Sequence, residues 1–441
     1  MTYSDVINYI QAIPMNTKRD LSNVIELLAK MENPEKKLKI IHVGGTNGKG
    51  STSSFITQML MAMGYDVGLF TSPYLETFNE RIRINASNIL DQDLVEAFVT
   101  VKKAIDSLSE DGELVFTQFD LITAMAYHYF ASKKTDFVVL EVGLGGEFDS
   151  TNTCSPAMSV ICSISLDHME FLGNSIESIT KAKAGIIKRK TPVVLYQQSQ
   201  VVEEIIAKKA QEMEAPLVIT DFDSIHIKSR SIYGQEFDIK IFDRKFESLF
   251  ISITGEHQVK NFVTALTTLL LMEKKGLIKA AEDSAIREGA KKARWNGRTE
   301  LFWDDPVTIL DGAHNADGAK MLSQYIEEYL SDYYLIMVFG VLSDKQIDLV
   351  AQHLIPWADK LVLTKPLVQR AEDVYELYGL IKEYVKDQVE VDITQAVSEA
   401  VKIAQEAGES LKGSQKVAVL YAGSLYLIGE ARTGLRKYYK K

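Results

Sequence analysis

A short β-branched run, residues 39–43 (KIIHV), gives way to Gly44-Gly45-Thr46-Asn47-Gly48-Lys49-Gly50-Ser51-Thr52 and then to a helical pattern over about residues 51–63. Few folds accept that succession. A buried strand must pass to a helix through a tightly curled backbone, which is how a parallel βα unit begins. A curled glycine backbone turns successive N–H groups toward one point, and the helix N-terminus adds its dipole, so the loop suits phosphate oxygens. Lys49 supplies neutralising charge, and Ser51 places a hydroxyl at the helix start, near a phosphate-bound Mg²⁺. The spacing is shorter than G-x-x-x-x-G-K-[ST], with an extra glycine between Lys49 and Ser51. A plain Gly-rich turn before a helix is the competing reading.

The pattern repeats along the chain. Residues 66–70 (DVGLF), 136–142 (DFVVLEV) and 158–164 (MSVICSI) read as strands, the last two apolar enough to be buried on both faces. Helical periodicity covers residues 94–108, 117–132, 175–188 and 257–275, with Gly64 at an expected C-cap. Residues 224–254 instead alternate about a turn at Tyr233-Gly234, which predicts a small antiparallel hairpin or meander. Strands at 307–310, 334–339, 360–364 and 417–421 alternate with helices in a second α/β block. The expected fold class is therefore α/β: a P-loop-type, mostly parallel sheet domain with a small antiparallel addition, then a Rossmann-like α/β domain. The boundary is expected at Asn296 to Arg298, giving domains 1–296 and 297–441.

Composition limits the partners. The 441 residues carry 49 Lys and Arg against 60 Asp and Glu, a formal charge of −11, so nothing global attracts nucleic acid or an anionic membrane. The longest strongly apolar window, residues 262–272, is half of what a membrane span needs. Cys154 and Cys162 are the only cysteines, which fits a reducing compartment, and residues 1–10 lack the layout of a secretory signal. A soluble cytoplasmic protein is expected, with small-molecule partners and a monomeric state.

Several further residues sit where strands of an open α/β sheet end, the edge at which such sheets bind ligands. Ser72, in Thr71-Ser72-Pro73-Tyr74, could offer a hydroxyl to a metal or simply make a turn. Glu141 closes DFVVLEV before a glycine-rich loop, where a P-loop enzyme keeps a Mg²⁺ ligand or a water-orienting acid; a solvated strand-end charge is the alternative. Asp167-His168 repeats that position after MSVICSI. Asp311-Gly312-Ala313-His314-Asn315 follows a strand of the second block, and Arg298 lies at the expected hinge. His42, His128, His226 and His353 read as structural or surface residues. Composition alone gives no reason to single out Lys183 in the basic helical stretch 181–188.

Taken together, these segments resemble the folylpolyglutamate synthase and dihydrofolate synthase family, within the Mur-type ATP-dependent amide ligases. The carriers are HVGGTNGKGST (42–52), TSP with FNERIRI (71–84), EVGLGG and DSTN (141–152), LDH (166–168), KAGIIK (183–188), HQxxN (257–261), NGR (296–298), DGAHN (311–315) and GSLYLIGEAR (423–432). They occur in order over essentially the whole chain. The resemblance implies a central ATPase domain and a C-terminal Rossmann-like domain closing over a site. It implies that Thr46, Asn47, Gly48, Lys49, Gly50 and Ser51 hold ATP phosphates, with Asn261, Arg298, Asp311 and His314 as further nucleotide contacts. Ser51, Ser72, Glu141 and His168 would serve magnesium, together with Lys183, which the family carboxylates to a carbamate. Lys49, Lys183, Glu141 and His168 would be the catalytic set. Thr117, Gln118, Phe119, Asp120 and the Asp149 loop match the region that holds the pterin substrate. Tyr74 and Glu147 depart from the His and Arg common among relatives, both in substrate-facing loops.

The implied reaction joins L-glutamate to the γ-carboxylate of tetrahydrofolate or its polyglutamates through an acyl phosphate, releasing ADP and phosphate. Dihydropteroate is the alternative or additional acceptor. A cell-wall ligase fits less well, because only about 38 residues precede the first strand, too few for the extra domain such ligases carry. A nucleotide-binding regulatory module without ligase chemistry is the rival from another class. It would leave Arg298 and the DGAHN segment without a task.

Overall fold

The structure, a computed structural model, describes residues 1–13, 20–109 and 115–440. It divides into two compact units, one of Met1–His226, Asp238–Leu249 and Lys260–Ala293, the other of Ile227–Phe237, Phe250–Val259 and Arg294–Lys441.

The first unit is built on an eight-stranded sheet. Its strands are β1 (Ile40–Gly44), β2 (Val67–Phe70), β3 (Ile82–Ile84), β4 (Ser87–Asn88), β5 (Phe137–Glu141), β6 (Met158–Ile161), β7 (Val193–Leu195) and β8 (Leu217–Ile219), in the spatial order β4-β3-β2-β5-β1-β6-β7-β8. β3 pairs antiparallel to β2 and to β4, while β2, β5, β1, β6, β7 and β8 run parallel. β1, β2, β5, β6 and β7 are buried at every residue, which the apolar runs 136–142 and 158–164 predict for β5 and β6. Residues 226–251 make the small antiparallel sheet, β9 (His226–Ser231), β10 (Gly234–Ile241) and β11 (Arg244–Ile251).

The second unit carries a six-stranded sheet of β12 (Glu300–Asp304), β13 (Val307–Leu310), β14 (Tyr334–Phe339), β15 (Lys360–Leu363), β16 (Glu390–Ile393) and β17 (Val417–Ala422), in the order β12-β13-β17-β14-β15-β16. Only β12 is antiparallel. Arg432 clamps Glu300 through its Nε and Nη2, with Nη2 2.6 Å from Oε1, and Glu300 in turn accepts the Gly297 N–H at 2.8 Å. A concavity of about 640 Å³ beside Trp303 and Tyr439 opens at the amino end of β13, the edge opposite Asp311.

Two boundaries differ from the sequence expectation for a local reason. The helix after β1 begins at Lys49 and runs to Ala62, because Gly48, at φ +83, turns the chain before Ser51 is reached. β6 stops at Ile161, after which the Ser163 carbonyl leaves the ladder to accept the N–H groups of Thr46 (2.7 Å) and Asn47 (3.2 Å). Among the described residues, no helix is long and apolar enough to cross a membrane.

The helices Lys49–Ala62 and Asp283–Lys292 pack at glycine distance, since a β-carbon at Gly289 would stand 2.6 Å from Met59 Cα. Gly289→Ala should therefore destabilise the protein by about 1–3 kcal/mol in urea unfolding. An unchanged midpoint would show that this helix pair yields freely.

Candidate functional site

β1 lies between β5 and β6, so the loops leaving all three strands emerge side by side at their carboxyl ends. The loop after β1 is fixed from both flanks. A β-carbon at Gly45 (φ +140) would sit 2.8 Å from Cys162 Cβ, and one at Gly48 would sit 2.4 Å from Asn261 Oδ1. Thr46 Oγ1 lies 3.1 Å from both the Ser165 carbonyl and the Ser165 N–H, and Asn47 Nδ2 donates to Ser165 Oγ at 3.2 Å. Lys49, in the first helical turn, folds back so that Nζ donates to the Thr46 carbonyl at 3.0 Å. Gly50 and Ser51 are buried beside it.

Glu141 is buried at the end of β5 and accepts the Ser72 N–H at 3.2 Å, so two sequence candidates meet directly. Lys183 joins them from the helix Ile176–Ala184. Its amine is buried, donates to the Gly45 carbonyl at 2.8 Å, and is pushed down to about 7 by burial first and then by the Lys49 charge. The helix reaches this depth because residues 146 and 185 are glycine: a β-carbon at Gly146 would meet the Ala182 carbonyl at 2.8 Å, and one at Gly185 would meet Glu147 Cβ at 2.4 Å.

His168 stands less deep. It sits at φ +51 before a short helical turn, half-exposed, with Nε2 3.9 Å from Asp167 Oδ2. Asp167 in turn lends its field to Lys183. Among the described residues, no three His, Cys, Asp or Glu side chains cluster closely enough to hold a metal by themselves.

The remaining candidates fall into two groups. Thr117 and Asp120 cap the helix Gln118–Lys133 reciprocally, with the Thr117 N–H 2.8 Å from Asp120 Oδ2 and the Asp120 N–H 3.1 Å from Thr117 Oγ1. Ser150 Oγ donates to Asp120 Oδ1 at 2.6 Å, and Gln118 Nε2 ties back to the Ile13 carbonyl at 2.9 Å. Phe119 packs against Phe70 and so close to Gly143 that a β-carbon there would stand 2.5 Å from its ring. Asp149 is buried and turned inward, accepting the Leu144 N–H at 2.7 Å.

In the second unit, Asp311 receives the N–H groups of Thr299 and Ala313, each at 2.8 Å. Burial raises its carboxyl above the usual carboxylate range while the Arg298 charge opposes the rise. Arg298 lies against Gly312, where a β-carbon would meet Nη1 at 2.5 Å. His314 Nδ1 donates to the Gly312 carbonyl at 2.8 Å, which leaves Nε2 as an acceptor when the ring is neutral.

One side chain at the site was not a sequence candidate. Arg83, on β3, donates from Nε to the Glu80 carbonyl at 2.9 Å; burial lowers its pKa while Glu80 and Glu141 act against that shift. The Thr77-to-Glu80 capping box was its available signal, because it fixes the turn that leads into β3. His128, His226 and His353 take no part in these clusters; His42 is a buried core residue whose hydrogen bond to Thr151 ties it to the Asp149 loop.

Comparison with known proteins agrees with this geometry. Residues 43–269 match the Mur ligase middle domain, and residues 297–424 match the Mur ligase, glutamate ligase domain. A Bacillus subtilis protein named dihydrofolate synthase/folylpolyglutamate synthase is 35% identical over 440 residues, covering 98% of this chain and 99% of that protein. The crystal structure of folylpolyglutamate synthase from Thermotoga maritima matches with a TM-score of 0.84 at 32% identity, over 99% of this chain and 97% of the other. Mycobacterium tuberculosis folylpolyglutamate synthase complexed with ADP and AMPPCP matches with a TM-score of 0.88 at 27% identity, over 100% and 99%.

The Lys183 environment has a direct readout. In protein with ¹³C-labelled lysine, held free of CO₂, one ε-carbon should titrate with a midpoint near 7, charged below it and neutral above, and vanish in Lys183→Arg. If every ε-carbon titrates near about 10.4, the ordinary lysine value, the amine is not desolvated as described.

Proposed function

This chain belongs to the Mur ligase family, on the branch of the dihydrofolate synthases and folylpolyglutamate synthases, and we propose that it is an ATP-dependent ligase adding L-glutamate to the γ-carboxylate of tetrahydrofolate and its polyglutamates. The observation that carries this reading is the convergence, at the carboxyl end of β1, of a phosphate loop, the Glu141–Ser72 pair and the buried Lys183 amine.

A carboxylate is a poor electrophile for an amine in water. On this reading an oxygen of the folate γ-carboxylate attacks the γ-phosphorus of ATP, and ADP leaves, giving an acyl phosphate. The glutamate amine then adds to the acyl carbon, loses a proton, and the tetrahedral adduct expels phosphate to leave the amide. Phosphoryl transfer asks for charge neutralisation and in-line placement rather than covalent help. Thr46, Asn47, Gly48, Lys49, Gly50 and Ser51 would bind and orient the phosphates. Asn261 touches that loop at Gly48 and would contact the nucleotide with Arg298, Asp311 and His314. Thr117, Gln118, Phe119, Asp120 and Asp149 belong to the wall against which the pterin end of the acceptor rests. Domains 1–296 and 297–441 divide the work as ATP-binding and ligase modules, in a monomer of the cytoplasm with no nucleic-acid or membrane partner.

Magnesium fits the donors present. Ser51, Ser72, Glu141 and His168 would hold it together with a carboxylated Lys183, and when bound it supplies positive charge against the phosphates. Donors this dispersed suit Mg²⁺, which takes much of its coordination from phosphate and water. An amine with a pKa near 7 is about half neutral at pH 7, and the neutral fraction is the form that adds to CO₂ to give a carbamate and a proton.

A second acceptor has a specific observation behind it, because the Bacillus subtilis relative carries both activities in its name. The test is ADP release measured side by side with tetrahydrofolate and with dihydropteroate, each with L-glutamate. Nucleotide turnover indifferent to folate and glutamate would overturn the ligase reading. Glu141→Ala should lower turnover by about 10²–10³-fold or more with an unchanged melting temperature, the scale of losing a group that meets transition-state charge. Lys183→Ala should be inactive and partly restored by a small carboxylic acid.

A further inference from the structure

Beneath the loop that follows β5, Asp149 ends a line of buried side chains whose other members, His42, Thr151 and Cys154, have no place in the chemistry above. His42, in the middle of β1, is fully enclosed, and its Nε2 lies 2.9 Å from Thr151 Oγ1. The Thr151 hydroxyl donates in turn to Asp149 Oδ1, which also takes the Thr151 N–H at 3.1 Å. Asp149 Oδ2 accepts the Leu144 N–H at 2.7 Å. At the other end, His42 Nδ1 faces Cys154 Sγ at 3.7 Å. Tyr127 braces the middle by donating its hydroxyl to the Thr151 carbonyl at 2.8 Å.

Counting protons gives this line a direction. A threonine hydroxyl has one hydrogen, and a carboxylate can only accept it. The hydrogen between Thr151 and Asp149 therefore belongs to Thr151, and the one between His42 and Thr151 must come from His42 Nε2. That leaves Nδ1 unprotonated, facing the thiol. The imidazole is neutral in this arrangement, as burial dictates by pushing His42 down to about 3. With Asp149 ionised, as its acceptance of the Thr151 and Leu144 N–H groups requires, the hydrogen bonds from His42 to Asp149 run one way.

Its two ends lie in different parts of the site. His42 stands two residues before Gly44, where β1 enters the phosphate loop. Asp149 holds residues 143–149, the loop whose Gly143 receives the Phe119 ring, and the next residue, Ser150, carries the hydrogen bond to Asp120. The Thr151 hydroxyl is thus the polar link between strand β1 and the Phe119–Asp120 wall.

We propose that Thr151, held between His42 and Asp149, is a positioning residue that sets the acceptor wall against the phosphate loop, so that the acceptor carboxylate is presented to the terminal phosphate. The inference rests on the reading of residues 117–120 as the acceptor wall. Misplacing a reacting group by about 1 Å is enough to cost a large factor in rate or binding.

The test uses the full-length protein with ATP, L-glutamate and tetrahydrofolate. Thr151→Val keeps the shape and removes the hydroxyl; Thr151→Ser keeps the hydroxyl. The valine variant should show an acceptor KM raised by about tenfold with the KM for ATP nearly unchanged, and serine should restore it. A folded valine variant with a lower melting temperature but an ordinary acceptor KM would make the line a stabilising feature only, and would overturn the proposal. Should the valine variant not fold, the pair His42→Gln and His42→Met decides. Gln retains a donor toward Thr151 and should keep the acceptor KM, whereas Met should raise it; equal KM values would overturn the proposal. If the unmodified chain releases no ADP in response to acceptor and glutamate, the ligase reading fails instead.

Discussion

A methyl group at Gly45 would press on Cys162 Cβ, one at Gly48 on the Asn261 amide, and one at Gly146 on the backbone that carries Lys183. These close approaches decide how near the loop after β1 comes to the end of β6 and to Asn261, and the loop after β5 to the helix that carries Lys183. A parallel sheet brings strand ends to one edge but leaves them a strand spacing of about 5 Å apart. Closing that gap needs backbone against backbone, and only glycine allows it. Each glycine costs conformational entropy on folding. The largely apolar strands beneath the loops, buried along their length, offset that cost.

The same crowding sets the electrostatics. Lys49 and Lys183 are near enough for one to depress the other, and Arg83 shares its field with Glu141. A chain of net charge −11 thus sets Lys49 beside a Lys183 amine that burial has partly discharged. In the molecules where both amines are protonated, their repulsion destabilises the protein until an anion arrives. Phosphate oxygens would relieve that repulsion, so ligand binding and stability are coupled at this edge of the sheet.

Much of this was legible in the sequence, and the pattern of what was not has physical reasons. β5 and β6 announce themselves because both faces are buried, which writes them as the almost wholly apolar runs FVVLE and MSVI, whereas β7 and β8, at three residues each, are too short to stand out. β3, β4 and β16 are short and partly exposed, so no such run marks them. Strand ends and glycine loops located Ser72, Glu141 and Lys49 because position in a βα unit implies position in the crevice. Lys183 could not be found that way. It lies in the basic stretch 181–188, and its burial depends on Gly146 and Gly185, whose close contacts with residues 182–183 and with Glu147 exist only in the folded chain. Asp149 and Thr151 were visible as a motif, but their partner His42 is 109 residues from Thr151 in the chain, and no local pattern joins them.

Both thiols of the molecule lie in this layer. Cys162 backs the phosphate loop at Gly45 and Cys154 closes the His42 line, each fully enclosed and with its thiol pushed up by burial, to about 11 and about 12. Neither can meet an alkylating reagent while the sheet is closed. The chain therefore carries its own clock: the rate at which a small electrophile consumes its thiols reports how often the layer beneath the site opens, without an added label. A nucleotide or folate that tightens that layer would slow the clock, which makes occupancy of the site readable from sulfur chemistry alone.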